Sequence, residues 1–114
     1  MKKNIKEENY LEKIPVKNAD IKWSADENGA VTLEMENKGI ANRIAQRLIK
    51  KPKISYIHLD ENGSFVWPLI DGEKSILEIG EAVDLHFGEK AHPLYERLSQ
   101  FFRILENYRF IEFK

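Results

Sequence analysis

Residues 54–72 constrain the fold of this chain more than any other stretch. Ile54-Ser55-Tyr56-Ile57-His58-Leu59 is rich in β-branched and aromatic types and lacks Gly and Pro, which predicts a strand. Asp60 and Asn62 then offer N-caps for a helix over Ser64-Phe65-Val66-Trp67. Pro68 lacks a backbone donor and disfavours helical geometry at the residue before it, so that helix is expected to be short or kinked. Trp67, between Phe65 and Leu69-Ile70, reads as a packing anchor rather than a ligand platform. Asp71-Gly72 is a turn, and Ser75-Ile76-Leu77-Glu78 has the spacing of a capping box, which starts a second helix at Ser75.

Upstream, Ile21 and Trp23 alternate with Lys22 and Ser24, and Val31, Leu33 and Met35 alternate with Thr32, Glu34 and Glu36. With the turn cluster Asp26-Glu27-Asn28-Gly29 between them, they predict an antiparallel hairpin with one buried face. Residues 1–18 mix charges with isolated apolar residues and read as a partly docked tail, leaving residues 19–114 as a single domain. Ile40, Ala41, Ile44, Ala45 and Leu48 predict an amphipathic helix over about 40–51, stopped by Pro52. Every charged side chain between Glu36 and Asp60 is basic: Lys38, Arg43, Arg47, Lys50, Lys51 and Lys53. This is either a solvated helix face, its cations placed favourably toward the C-terminus, or a docking surface in which Arg43, Arg47, Lys50 and Lys51 meet an acidic partner.

Downstream, Ile76, Ile79, Ala82, Val83 and Phe87 share one face of the helix that starts at Ser75, and Gly88 stops it. Pro93 suits the first position of a third helix running to about Tyr108. Leu94, Leu98, Phe102 and Leu105 form its core stripe, and Arg97, Phe101, Ile104 and Tyr108 form a second stripe beside it. Phe110-Ile111-Glu112-Phe113 closes the chain as a short strand or extended cap.

At 114 residues the chain suits one domain with one core. Its 18 basic and 19 acidic residues leave no overall field to hold nucleic acid or an anionic membrane. The absence of cysteine excludes disulfides, thiolate metal sites and cysteine nucleophiles. No apolar run approaches the roughly 18 residues of a membrane span, and the first residues lack a signal-peptide core, so a cytoplasmic location is expected. His58, His86 and His92 show no zinc-protease spacing; a small site of His86, Glu89 and His92 is conceivable but reads better as surface histidines. Asp60 beside Glu61 is explained as a cap, the glycines form no phosphate cradle, and no serine has a nucleophile elbow. The expectation is no catalysis, no metal and no cofactor.

The run Leu59-Asp60-Glu61-Asn62-Gly63-Ser64-Phe65-Val66-Trp67, then Ile70-Asp71-Gly72, Ser75-Ile76-Leu77-Glu78-Ile79, Phe87-Gly88, Leu98, Phe101-Phe102-Arg103-Ile104-Leu105 and Phe110-Ile111, resembles the PqqD family. The resemblance covers about residues 54–113, with the hairpin at 21–36 where the family has its first two strands. It implies an α+β, winged-helix-like domain of three strands and three helices. It also implies a non-catalytic adaptor that holds the leader of a ribosomally made precursor peptide and presents it to a modifying enzyme, often of the radical SAM type. Pro68, inside the family's first helix, and the basic helix at 40–51 depart from the family pattern.

On this reading the leader adds as a strand along Ile54, Ser55, Tyr56, Ile57 and His58, in a groove whose other wall is Arg97, Phe101, Ile104 and Tyr108. Two registers remain open, one turning Ile54, Tyr56 and His58 to the groove and the other Ser55 and Ile57. The alternative cover for the second helical stripe is the N-terminal tail or a second copy of the chain, as a homodimer. The alternative function is a winged-helix DNA-binding regulator. Against it stand the balanced charge and a third helix too apolar to read base edges, with Arg97, Arg103 and Arg109 as its only guanidinium groups.

Overall fold

The computed structural model describes residues 9–36 and 54–114; the expected basic helix, with Arg43, Arg47, Lys50 and Lys51, lies outside them. After a helical turn at residues 9–11 come strands β1 (Pro15–Lys17), β2 (Lys22–Ala25), β3 (Val31–Glu36) and β4 (Ile54–His58). Helices α1 (Glu61–Val66), α2 (Ile76–Phe87) and α3 (Leu94–Asn107) follow, and β5 (Ile111–Phe113) closes the chain. The class is α+β, with most strands preceding the helices. β2, β3 and β4 form one antiparallel sheet in that order, and β1 pairs antiparallel with β5 in a second.

The hairpin forms where the turn chemistry places it. The Asp26 carboxylate Oδ1 accepts the N–H groups of Asn28 and Ala30, both at 2.9 Å, and Gly29 takes a φ of 83°, which a side chain would resist. Trp23 pairs with Leu33 and Leu33 with Ile57, and this rung faces the helices. On the opposite face Glu34 pairs with Lys22 and Tyr56, while Thr32 pairs with His58. The register of β4 is thereby decided: Ile54, Tyr56 and His58 point outward and are exposed, whereas Ser55 and Ile57 are half-buried.

α1 differs in detail from the expectation. Asp60 alone caps it, Oδ1 accepting the Gly63 N–H at 2.8 Å, and the helix begins at Glu61, so Asn62 lies within the first turn instead of capping it. The helix is short as Pro68 requires, and a 3-10 turn at Trp67–Leu69 absorbs the proline. The capping box of α2 is complete: Glu78 N donates to Ser75 Oγ at 3.2 Å, and Ser75 N donates to the Glu78 carboxylate at 3.1 Å. Gly88, at φ 62°, ends that helix. Pro93 takes the N-cap position of α3, one residue before the helix, instead of its first turn.

Trp67 and Phe102 are fully buried among Leu33, Ile76, Ile79 and Ile111. Truncating a ring such as Phe102 to Ala is expected to cost about 3–5 kcal/mol through lost transfer energy and the cavity left behind. Trp23 packs edge-on against Trp67 at 6.1 Å, and the Lys17 ammonium sits 4.8 Å from the Trp23 ring and 5.5 Å from that of Trp67. Burial lowers the Lys17 pKa, with Asp71 pulling in the opposite direction. The described N-terminal residues are built into the fold: Tyr10 is buried, Ile76 N donates to Lys13 O at 3.0 Å, and Asn18 Nδ2 donates to Arg109 O at 2.8 Å.

Candidate functional site

A cavity of about 230 Å³ opens where the start of α1 meets α2 and α3. Val66, Val83, Leu94 and Leu98 supply apolar walls from all three helices, and Asp60, Asn62, Arg97 and Gln100 supply the polar groups. Phe101 and Ile104 complete the α3 side, Phe101 half-buried and Ile104 exposed. Their spacing explains the wall: residues three and four apart on a helix share a face. Arg97 is positioned by its Nη1, which donates to the Lys90 carbonyl at 3.1 Å. Gly63 lets α3 approach closely, because a Cβ at this position would lie 3.2 Å from both Phe101 Cε1 and Asp60 Oδ1.

The structure therefore brings Arg97, Phe101 and Ile104 together around one cavity, and leaves Tyr108 out. Tyr108 ends α3 and stacks on Phe110 at 6.1 Å, beside Arg109, which turns the chain at φ 63°. None of Ile54, Ser55, Tyr56, Ile57 or His58 lines the cavity either. The strand reaches it through the two residues that follow, ending at Asp60 on the rim. Among the described residues β4 is a terminal strand in the order of its sheet, and His58 Nδ1 lies 2.9 Å from Thr32 Oγ1, which ties that ring to β3.

Sequence reasoning missed the contributions of Asn62, Gly63, Val66 and Val83. One signal was available for Gly63: a glycine inside a helix is unfavourable by roughly 0.5–1 kcal/mol relative to alanine, which points to a close approach. The histidines go separate ways. His86 stacks on Phe65 with ring centroids 4.3 Å apart, and His92 Nε2 lies 2.8 Å from Asp84 Oδ1. Among the described residues no three His, Asp or Glu side chains cluster as a metal site would, and no helix is long and apolar enough to cross a membrane.

A three-stranded sheet ending, among the described residues, in β4, joined to helices that close on an apolar cavity with a charged rim, defines a small α+β domain with a recess at its helical end. The chain belongs to the PqqD family, described as Coenzyme PQQ synthesis protein D (PqqD), whose match spans residues 29–111 and so more than half of the sequence. That span runs from the β2–β3 turn to the first residue of β5. No curated protein and no solved structure matches the chain.

Proposed function

We propose that this protein is a non-catalytic peptide-binding adaptor of the cytoplasm, recognising the leader of a ribosomally synthesised precursor and presenting it to a modifying enzyme of the radical SAM type. The observation that carries the reading is the meeting of Arg97, Phe101 and Ile104 around one cavity just beyond the end of β4. In this reading the fold is winged-helix-like and the leader extends the sheet along residues 54–58. Backbone hydrogen bonds then supply affinity, while the cavity takes an apolar leader side chain and Arg97 an acidic neighbour. Membership of the PqqD family supports a peptide-handling role and lends nothing to DNA binding.

The test is calorimetry with the precursor peptide encoded beside this gene. Phe101→Ala combined with Arg97→Glu is expected to weaken leader binding while circular dichroism shows the fold intact. A folded double variant that binds the leader as tightly as wild type overturns the groove assignment.

A further inference from the structure

A second cavity, of about 650 Å³, lies on the other side of the α1 start, and Asp60 lines both. One of its walls is aromatic. Phe65 and His86 stack at 4.3 Å with an interplanar angle of 10°, and Phe87 meets each of them edge-on, at 5.4 and 4.6 Å. The facing wall is made of small residues on the hairpin turn, Ala25, Gly29 and Ala30, which leaves room opposite the rings. That wall is held in place, since Asp26 Oδ1 accepts the N–H groups of Asn28 and Ala30 and the Asp26 N–H donates to the Ala30 carbonyl at 3.0 Å. The rim carries the Asp60 and Glu61 carboxylates, and among the described residues no lysine or arginine lines the cavity.

We propose that this second cavity is a peptide subsite for an aromatic side chain carried next to a lysine or arginine. The Phe65, His86 and Phe87 rings extend an aromatic stack to an incoming ring, with offset or edge-on contacts favoured by the ring quadrupoles. The two carboxylates attract the neighbouring cation and repel an acidic residue. The first cavity differs, because its rim adds the Arg97 guanidinium to the shared Asp60 carboxylate and so offers an acidic residue a partner there. A single extended peptide crossing the α1 start at Asp60 reaches both, so the pair of cavities gives the bound peptide a direction: acidic and apolar on the α3 side, aromatic and basic on the hairpin side. The subsite rests on the peptide-binding reading for its natural occupant, but not for its chemistry.

The experiment uses the full-length protein, uniformly labelled with nitrogen-15, titrated with N-acetyl-Trp-Lys-amide and with N-acetyl-Trp-Glu-amide. The lysine probe is expected to shift the amide signals of Gly29, Phe65 and His86 saturably, and the glutamate probe to bind roughly fivefold more weakly, as loss of one exposed charge pair and gain of a repulsion implies. His86→Ala is expected to weaken both probes, and Glu61→Gln to narrow the difference between them; each variant's own spectrum reports that it is folded. Absence of saturable shifts, equal binding of the two probes, or binding that survives His86→Ala overturns the subsite. Phe101→Ala separates the two proposals, because it removes a wall of the first cavity and none of the second. Lysine-probe binding that persists in this variant supports the second site whatever happens to the leader, and probe binding lost with it overturns an independent subsite.

Discussion

The Ser64 hydroxyl accepts a hydrogen bond from the Val31 N–H at 2.8 Å, joining α1 to the first residue of β3. The same hydroxyl donates to the Leu59 carbonyl at 3.2 Å, so one buried side chain fixes the hairpin against the helix that separates the two cavities. Ser64→Ala leaves a buried N–H without its partner and is expected to destabilise the fold by about 1–3 kcal/mol. Urea unfolding measures this, and a loss well under that range would show that water replaces the hydroxyl.

Gly63→Ala tests the first cavity from within. The added methyl meets Phe101 Cε1 and Asp60 Oδ1 at 3.2 Å, so the ring must give way toward the space it borders. The helix-propensity gain of roughly 1 kcal/mol offsets the crowding, and net stability is expected to change little. Leader affinity is expected to fall roughly tenfold, the scale set by one methyl group in a fitted apolar pocket. Calorimetry showing an unchanged affinity in the folded variant would place the peptide elsewhere.

The Tyr10 hydroxyl is buried with no hydrogen-bond partner among the described residues, and its pKa is pushed up to about 12 by burial first and Glu106 second, with Arg103 opposing. The unfolded chain releases this proton near the ordinary value of 10.0, before the folded protein does. Stability is therefore unaffected by this group below that pH and falls as pH rises through the window up to about 12. Tyr10→Phe is expected to lose that part of the alkaline decline and, having no orphaned hydroxyl, to be as stable as wild type or up to about 1 kcal/mol more stable at neutral pH. Urea midpoints of the two proteins, compared across the alkaline range, check both statements.

Asp71 accepts the Lys74 ammonium at 2.7 Å and the N–H groups of Glu73 and Lys74, both at 2.9 Å. The Lys74 side chain, then the two backbone donors, hold its carboxyl well below the ordinary value of 3.8. The sign is that of a depressed acid: the stabilisation is complete above that value and lost as pH falls below it toward the folded-state pKa. Asp71→Asn is expected to flatten the acid limb of thermal stability against pH and, because Asp71 also raises the Lys74 pKa, to remove the part of the alkaline decline that this pair contributes. An unchanged acid limb would show that the exposed turn contributes nothing measurable.

Local chemistry was legible. The capping box from Ser75 to Glu78, the turns at Asp26 and Asp71, and the stop at Gly88 all depend on groups within a few residues of one another. Trp67 was legible as core because a large ring at the end of a short helix, between Phe65 and Leu69-Ile70, is a packing anchor, and it is fully buried. The α3 wall of the first cavity follows the helical spacing of Arg97, Phe101 and Ile104; Tyr108 lies one turn later and outside it, where Arg109 redirects the chain and Phe110 takes the ring.

The sequence by itself determined the hairpin, the N-cap chemistry, the helical faces and the absence of any cysteine, because these depend on residue type and short spacing. Tertiary structure alone decided that Ile57 faces inward and Tyr56 outward, that β1 returns to pair with β5, and that Gly63 and Val83 join Phe101 around one cavity. Such choices join residues far apart in the chain. No local spacing distinguishes the competing registers and pairings, and the burial of Leu33, Trp67 and Phe102 in one shared core selects among them.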